Sequence, residues 1–368
     1  MYRLEQLGWN EFFAKQVSAE EQDELAPARI AGENREIYRV FTAYGECSAE
    51  LGGKLRHGAL SRAHLPAVGD WVLIRPRESG QRAIVRRILG RRGRFSRKMA
   101  GKKTAEQIVA ANVDILFVVA SLRHEFNPRR MERYLALAWE SGARPVAVLN
   151  KVDLCDPAQS ERAAATLTSF GVSALIASAT RGDGIARLRE MIGGGPIDSS
   201  RVAPAKTCAF VGSSGVGKSS LINALLGESR QETREVREGD GKGRHQTTSR
   251  QMIVLPEGGV VIDTPGMREL QLWDGAADAF GTTFPDIQAL AAACRFRDCR
   301  HEGEPGCAVR VAAESGELDR ERLASFHKLG REERYLEARH DAARRAERHK
   351  AFKRMGREQN RFYRDQER

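Results

Sequence analysis

Short apolar runs separated by turn residues follow one another from about residue 35 of the chain. Strand-like runs occupy residues 37–41, 46–55, 70–74 and 83–88, with 94–96 as a fifth candidate. Gly69 and Gly80 stand between these runs, where they favour turns, and Gly52 and Gly53 lie near the end of the second run. This pattern predicts a small β-barrel of the OB-fold type over residues 35–103, although an SH3-like barrel or a β-subdomain without a ligand would have the same pattern. Residues 1–34 are expected to form a helical or loose leader.

Between residues 104 and 275, apolar strands alternate with helices. Strands are predicted at 115–120, 146–149, 174–176, 208–211, 252–255 and 260–262. Helices are predicted at 129–141, 160–170 and from about residue 218. This alternation is typical of a largely parallel sheet with helices on both faces. Residues 276–368 are predicted to be mainly helical, with a break at a cysteine-rich loop.

The composition fits a globular chain of two or three domains and argues against a membrane protein. Hydrophobic residues make up 41% and charged residues 30% of the 368 positions, and the mean hydropathy is −0.48. The longest apolar run, residues 115–120, is far shorter than the roughly 20 residues of a membrane span. Residues 1–16 lack the apolar core of a signal peptide. The six cysteines are too few for a disulfide scaffold, so a reducing, cytoplasmic location is expected.

Positive charge is concentrated in two parts of a chain whose net charge is +11. Residues 75–103 hold twelve Lys or Arg and one acid, and residues 328–368 hold fourteen Lys or Arg and eight acids. Such basic regions indicate a polyanionic partner, and the first of them favours contact with nucleic acid. In the tail the acids interleave with the bases, so a solvated helix face is an equal alternative there.

Residues 212–219 read Gly-Ser-Ser-Gly-Val-Gly-Lys-Ser, and we name them the phosphate loop. The segment follows an apolar strand and precedes a helix, which is the context that a nucleoside triphosphate site requires. Its glycines let backbone N–H groups surround the phosphates, and the helix N-terminus adds positive potential. Lys218 is expected to reach the β- and γ-phosphates, and the Ser219 hydroxyl to bind Mg²⁺.

A second segment, Val-Ile-Asp-Thr-Pro-Gly at 261–266, places an aspartate at the end of a predicted strand. Asp263 can hold Mg²⁺ through water, and the Gly266 N–H can contact a γ-phosphate. About 45 residues after a phosphate loop, this string indicates catalysis on the triphosphate rather than an ordinary turn.

A third segment, Leu-Asn-Lys-Val-Asp at 149–153, is predicted to recognise the nucleotide base, and we name it the base reader. The Asp153 carboxylate can accept from both N1–H and N2–H₂ of guanine, whereas adenine lacks this donor pair, which opposes an ATP-using enzyme. Asn150 can bond the base edge or tie neighbouring loops, and the Lys151 stem can pack over the ring. The string Ala-Ser-Ala at 177–179 can supply a backbone N–H for guanine O6. The predicted nucleotide contacts are Asn150, Lys151, Val152, Asp153, Ser178, Ala179, Gly212, Ser213, Ser214, Gly215, Val216, Gly217, Lys218, Ser219 and Ser220.

These segments stand in the reverse of the usual order, because the base reader precedes the phosphate loop. That is the order of a circularly permuted GTPase. Between the phosphate loop and the 261–266 segment, residues 241–248 read Gly-Lys-Gly-Arg-His-Gln-Thr-Thr. This string resembles the Gly-Arg-His-Thr-Thr-Thr string of the RsgA (YjeQ) family of ribosome small-subunit-dependent GTPases. Gln246 replaces the first threonine, so either Thr247 or Thr248 is expected to complete the Mg²⁺ shell.

Three cysteines and a histidine lie within 14 residues as Cys294-x₄-Cys299-x-His301-x₅-Cys307. Three thiolates and an imidazole at this spacing predict one structural Zn²⁺ site, since no open position is left for a water. A disulfide or free cysteines are the alternatives. The same spacing resembles the zinc-binding domain of the RsgA family.

The resemblance covers nearly the whole chain and implies its architecture and role. It implies a multi-domain α/β protein with an N-terminal OB-fold barrel, a circularly permuted P-loop GTPase domain over 104–275, and a C-terminal helical zinc-binding domain over 276–368. The implied function is GTP hydrolysis to GDP and phosphate on the 30S subunit, with 16S rRNA as partner, late in subunit maturation. An RNA-binding assembly chaperone that uses GTP as a structural ligand is the alternative. A monomer is expected.

Hydrolysis is predicted to be slow without a partner. Met267 stands where many GTPases carry a glutamine that orients the attacking water, and methionine cannot do so. We expect an intrinsic turnover on the order of 10⁻⁴–10⁻³ s⁻¹. His245 is the candidate for the missing polar group, with contact to an RNA phosphate as its alternative role.

Overall fold

The computed structural model describes residues 1–34, 36–59, 61–77, 81–98, 106–122, 126–193, 205–213, 215–227, 251–256, 258–263, 282–332, 334 and 338. Its strands are β1 (Ala26–Asn34), β2 (Ile37–Thr42), β3 (Gly45–Leu51), β4 (Trp71–Arg75), β5 (Ala83–Ile88), β6 (Arg94–Lys98), β7 (Glu106–Ala111), β8 (Ile115–Ser121), β9 (Arg144–Asn150), β10 (Ser173–Ile176), β11 (Thr207–Val211), β12 (Gln251–Val254) and β13 (Val260–Asp263). Its helices are α1 (Glu11–Ala14), α2 (Ala19–Glu24), α3 (Gly53–Gly58), α4 (Pro128–Glu140), α5 (Pro157–Ser169), α6 (Ile185–Ile192), α7 (Lys218–Leu226), α8 (Pro285–Ala291) and α9 (Ala308–Ser315), and residues 320–332 are also helical. None of the described helices combines the length and apolarity that crossing a lipid bilayer requires.

Strands β1 to β5 form a closed barrel. Their order is β1-β2-β3-β5-β4, and β4 returns to pair with β1. Alternate residues of these strands fill the interior, so that Ile30, Tyr38, Val40 and Val72 have no exposed surface. Helix α3 stands between β3 and β4 in the chain, which together with the strand order confirms the predicted OB-fold.

A largely parallel sheet carries the rest of the α/β architecture. Its order is β10-β9-β8-β11-β13-β12, with β12 antiparallel to β13 and the other neighbours parallel. In β8, Phe117 packs into the core on one face of the sheet, and Leu116 and Val118 pack into the core on the other. Burial on both faces explains why this strand is a continuous apolar run.

The barrel and the α/β sheet are joined edge to edge. Gly32 of β1 lies opposite Gln251 of β12, so the strands of both units belong to one sheet. Arg29 reinforces the junction from β1, because its buried guanidinium donates to the carbonyl oxygens of Leu7, Gly69 and Asn112. Burial lowers the pKa of Arg29 to about 10, which leaves it charged at neutral pH.

The first barrel strand lies in the segment predicted as a leader, and the predicted fifth strand is not in the barrel. Residues 94–96 belong to β6, which pairs with β7 in a separate two-stranded sheet. Strand β1 is the fifth strand of the barrel instead, paired with β2 and β4. Its alternation is hidden in the sequence by Pro27, Gly32 and the buried Arg29. The predicted domain boundaries at residues 34, 103 and 275 stay predictions.

Acidic residues from other segments neutralise much of the basic stretch 75–103. Arg87 pairs with Glu21 at 2.9 Å, and Arg91 pairs with the buried Asp70 at 2.6 Å. Other ion pairs among the described residues of this stretch are Arg75–Glu24, Arg77–Glu50, Arg82–Glu50 and Arg92–Asp114. The net charge that the stretch presents is therefore smaller than its local composition indicates.

Helix α4 is attached to the C-terminal region through a buried ion pair. Glu132 is fully buried and accepts from Arg322 Nη1 at 2.8 Å. Arg322 also donates to both carboxylate oxygens of Asp286, and its guanidinium lies 4.5 Å from the ring centre of Phe170 and 4.9 Å from that of Phe284. These contacts join the α/β domain to helices α8 and 320–332.

Candidate nucleotide-binding site

The predicted base reader lies at the carboxyl end of strand β9. Asn150 is the last residue of this strand and is buried. Lys151 adopts a left-handed φ of 65°, which turns the chain into the 3-10 turn Val152–Leu154. Because β9 and β10 are parallel, Ser178 and Ala179, which follow β10, emerge at the same edge of the sheet. Ligands of open α/β sheets bind at this edge.

The Asp153 carboxylate is held by hydroxyl groups from the loop after β10. Ser178 Oγ donates to Oδ1 at 2.6 Å, and Thr180 Oγ1 donates to Oδ2 at 3.3 Å. The hydrogen bond from Ser178 is the main reason why the pKa of Asp153 lies below its ordinary value. Each carboxylate oxygen has two lone pairs, so both oxygens can still accept from an N–H donor. The side chain is thus an oriented anion with free acceptor capacity.

The backbone of the same loop has one N–H group directed at Asn150. The N–H groups of Ala177 and Ser178 donate to backbone carbonyl oxygens at 2.8 and 3.0 Å. That of Ala179 donates to Asn150 Oδ1 at the longer distance of 3.3 Å. Among the three residues predicted to serve guanine O6, Ala179 therefore has the N–H group most open to exchange its partner for a ligand.

Two glycines of the phosphate loop are required by close contacts. Gly212 has a φ of 146°, and a Cβ atom on it would lie 2.2 Å from the carbonyl oxygen of Val119 in β8. Gly217 has a φ of 93°, and its Cβ atom would lie 2.2 Å from Asn150 Nδ2. Both positions combine a left-handed backbone with a steric limit, so only glycine fits. The loop is packed against the strand and the base reader at once.

The lysine of the phosphate loop is folded back over the loop. Lys218 is the first residue of helix α7, and its Nζ lies 2.8 Å from the carbonyl oxygens of the first two loop residues. Ser219 and Ser220 follow in the first turn of α7, where backbone N–H groups point out of the helix. Ser214 lies outside the described residues. The ammonium and the helix N-terminus provide a cradle for an anion.

Asn150 links the base reader to the phosphate loop. Its Nδ2 donates to the carbonyl oxygen of Val216 at 2.8 Å, while its Oδ1 accepts from Ala179. Only 1% of the Asn150 surface is exposed. One buried amide therefore joins three segments that are far apart in the sequence.

Asp263 ends strand β13, which pairs in parallel with β11. It thus lies at the same sheet edge as the phosphate loop, which begins directly after β11. Among the other predicted catalytic or magnesium-binding residues, Ser219 lies in the first turn of α7. His245, Thr247, Thr248 and Gly266 lie outside the described part of the chain.

A second cluster lies between helices α8 and α9. The ligand atoms of Cys294, Cys299, His301 and Cys307 all lie within 4.8 Å of one another. Cys294 Sγ is 4.0 Å from Cys307 Sγ, and His301 Nδ1 is 3.6 and 3.4 Å from these two sulfurs. Cys307 also caps α9, accepting from the N–H of Arg310. This group of side chains can hold a metal ion.

A family model described as RsgA GTPase matches residues 88–273. A protein of Opitutus terrae named small ribosomal subunit biogenesis GTPase RsgA is 45% identical over 346 residues, which cover 92% of this chain and 92% of that protein. The chain belongs to the RsgA GTPase family. Its enzyme class is therefore that of the family, a GTP hydrolase.

Solved structures of similar fold agree with the RsgA assignment. The crystal structure of YjeQ from Thermotoga maritima superposes with a TM-score of 0.62 at 27% identity and covers 83% of this chain and 97% of that chain. The structure of YloQ, described as a circularly permuted GTPase, gives a TM-score of 0.60 at 23% identity and covers 88% and 99%. The fold of this RsgA chain is thus the permuted one that the motif order predicts.

Two contacts of the site were not predicted from the sequence of this RsgA chain. Thr180 bonds Asp153 from a loop position that any small polar residue occupies. Arg130, at the start of α4, donates to Ser213 Oγ in the phosphate loop, although 83 positions separate them. The first could have been suspected from its distance of two residues from Ser178, whereas the second depends on tertiary structure alone.

Proposed function

We propose that the chain is a GTPase of the small ribosomal subunit, which binds the 30S particle and hydrolyses GTP to GDP and phosphate during late subunit maturation, with turnover stimulated by the subunit. The observation that carries the proposal is the junction at Asn150, which holds the base reader with Asp153 against the phosphate loop with Lys218. A base reader and a phosphate cradle at one sheet edge favour a guanosine nucleotide that spans both.

The base reader selects guanine by hydrogen bonding to an ionised carboxylate. Asp153 accepts from guanine N1–H and N2–H₂, and its hydrogen bond from Ser178 keeps it oriented. The Ala179 N–H donates to guanine O6. Adenine would leave the carboxylate without its donors, and the loss of such bonds to a charged group costs about 1.5–3 kcal/mol each. Lys151 and Val152 complete the base pocket, with the Lys151 stem packed over the ring.

The phosphate end holds the reacting group. Backbone N–H groups of Ser213, Ser214, Gly215, Val216 and Gly217 surround the phosphates, and Lys218 neutralises charge on the β- and γ-phosphates. Ser219, Asp263 and either Thr247 or Thr248 are the proposed holders of Mg²⁺, which supplies electrostatic stabilisation of the transferred phosphoryl group when bound. Gly266 contacts the γ-phosphate. His245 orients the attacking water in the complex with the subunit.

The cysteine cluster is proposed to hold one structural Zn²⁺. Tetrahedral zinc with sulfur at about 2.3 Å and nitrogen at about 2.0 Å places neighbouring ligand atoms roughly 3.5–3.8 Å apart. The separations of 3.4, 3.6 and 4.0 Å among Cys294, His301 and Cys307 fit that arrangement, and Cys299 supplies the fourth ligand. Three thiolates and an imidazole are a donor set that suits zinc and leave no coordination position for substrate.

The proposed partner is the 30S subunit with its 16S rRNA. The OB-fold barrel has the architecture used for binding oligonucleotides, and it adjoins the basic stretch 75–103. Binding to rRNA phosphates would release counterions and weaken steeply with salt. A cytoplasmic location follows from this partner, and the protein is proposed to act as a monomer.

GTP turnover by the full-length protein, measured with 30S subunits, with 50S subunits and without subunits, tests the proposal. Stimulation by 30S alone is expected. Equal rates in all three conditions would contradict it. A non-cleaving GTP analogue adds a second readout. Trapping of the protein on 30S by the analogue would indicate that GTP hydrolysis drives release from the subunit, whereas unchanged binding to 30S would support an assembly chaperone.

A further inference from the structure

Helix α4 begins beside the phosphate loop, and one of its arginines contacts the loop directly. Arg130 Nη1 donates to Ser213 Oγ at 2.8 Å. Arg130 lies in the first turn of α4, and its backbone N–H donates to the Asn127 side chain that caps the helix. The Arg130 side chain is otherwise exposed. Its orientation therefore follows from the helix start and from the contact with Ser213.

The contact falls at the end of the loop that meets the terminal phosphates. In P-loops the lysine reaches the β- and γ-phosphates, so its position marks this end. Lys218 Nζ lies 2.8 Å from the carbonyl oxygen of Ser213. The same residue is thus bound by Lys218 through its carbonyl oxygen and by Arg130 through its hydroxyl group. Arg130 places its positive charge at the γ-phosphate side of the loop rather than at the base.

The neighbouring arginines of α4 have carboxylate partners. Arg129 pairs with Glu132 at 2.7 Å, and Arg133 pairs with Glu332 at 2.9 Å. Within the described ranges, no carboxylate pairs with Arg130. Its charge faces the phosphate loop without a described counterion, and arginine is well suited to phosphate oxygens.

The start of α4 is a rigid support for this side chain. Glu132, one half-turn further along the helix, is fully buried and accepts from both Arg129 and Arg322. A group that positions a reacting phosphate is effective when its own support is ordered by packing and hydrogen bonds. The buried glutamate provides that order two residues from Arg130.

We propose that Arg130 is a positioning residue for GTP hydrolysis, which acts through Ser213 to hold the phosphate loop around the γ-phosphate. The inference rests on the proposed function, because it concerns the same nucleotide site. The consequence is specific: Arg130 favours GTP over GDP, whereas a residue that only stabilises the loop would affect both nucleotides alike.

Isothermal titration of the full-length protein with GDP and with the imido analogue of GTP, both with Mg²⁺, tests this inference. Arg130→Ala is expected to raise the Kd of the analogue about tenfold, the effect of losing one charge-assisted hydrogen bond, while the Kd of GDP changes less than about twofold. Arg130→Lys keeps a donor and should lose less affinity for the analogue than Arg130→Ala does. Ser213→Ala should raise the Kd of the analogue as much as Arg130→Ala does. The double variant should lose no more affinity than either single variant. The matched control is Arg133→Ala, on the same helix, which should bind both nucleotides as the wild type does.

Turnover with 30S subunits provides the second readout. Arg130→Ala should lower kcat, whereas Arg133→Ala should keep the kcat of the wild type. Equal weakening of GDP and the analogue by Arg130→Ala would overturn the inference, as would additive effects of Arg130→Ala and Ser213→Ala. If the wild-type protein showed no preference for guanosine nucleotides, the proposed function itself would fail. The two failures are distinct, since one is observed in the wild type and the other only in the comparison of variants.

Discussion

Asn150 donates its side-chain amide to the carbonyl oxygen of Val216 at 2.8 Å, although the residues are 66 positions apart. This bond connects the loop after β9 with the phosphate loop after β11. In the sheet, β8 alone stands between these strands, so their loops meet at one edge. The order of strands in the sheet therefore assembles the site, and the order of the two loops along the chain does not affect it.

Removing the Asn150 amide is expected to weaken both GTP and GDP. Asn150→Ala leaves the Val216 carbonyl without its donor, at a cost of about 1–3 kcal/mol, or roughly fivefold to 150-fold in Kd. Titration calorimetry with both nucleotides measures the loss. Asn10→Ala, which removes the cap of α1 instead, is the control and should leave both Kd values unchanged. An unchanged Kd in Asn150→Ala would show that the junction does not support the nucleotide site.

Exchanging the Asp153 carboxylate for an amide is expected to change the base specificity. Asn at this position offers a donor that suits the 2-oxo group of xanthine and repels the amino group of guanine. Asp153→Asn should bind GTP about a hundredfold more weakly and XTP more tightly than the wild type does. Competition between the two nucleotides reads out the change. The control is Asp156→Asn, at the cap of α5, which should keep the preference for GTP over XTP. An unchanged preference for GTP in Asp153→Asn would refute the role of Asp153.

Loss of one cluster cysteine is expected to release the metal. Metal analysis should find one zinc per wild-type chain and none in Cys307→Ser. Because Cys307 also caps α9, this variant should melt at a lower temperature. Its Kd for GTP should stay within about twofold of the wild type, since the ligand set has no open position. Cys47→Ser, in strand β3, is the control that should keep the zinc. Retention of zinc by Cys307→Ser would exclude it as a ligand.

Acid is expected to weaken the junction between Asp286 and Arg322. Burial alone would raise the pKa of Asp286, but the hydrogen bonds and charge of Arg322 outweigh it, so the pKa lies below its ordinary value. A lowered folded-state pKa contributes stability above the unfolded-state pKa of about 3.9, and this contribution is lost as pH falls through the folded value. The wild type should melt above Asp286→Asn by an amount that is constant from about pH 8 to 5 and shrinks below about pH 4.

The magnitude of this effect is expected to be about 1–2 kcal/mol at neutral pH, because the carboxylate is partly exposed and screened. Asp319→Asn removes a more exposed carboxylate from the same helix junction and should lower the melting temperature less. A melting difference that persists unchanged to pH 3 would mean that the ionised form of Asp286 does not stabilise the fold.

Local chemistry in the sequence was enough to predict the α/β sheet, the permuted order and the metal-binding cluster. The apolar run of β8, the phosphate loop and the spacing from Cys294 to Cys307 each carry their information in neighbouring residues. Each of these signals lies in residues a few positions apart or in a strand that is buried on both faces. These features could therefore be recognised without knowing what lies beside them in space.

Tertiary structure alone decided the features whose partners come from remote segments. Strand β1 was hidden because Arg29 is buried against carbonyl groups that only the folded chain supplies. The basic stretch lost much of its apparent charge for the same reason, as acids such as Asp70 and Glu21 reach it from other parts of the chain. The contact of Arg130 with Ser213 likewise exists only because β8 and β11 are adjacent. A local pattern reports the chemistry of one segment, whereas pairing energy depends on distance in space, which the fold sets.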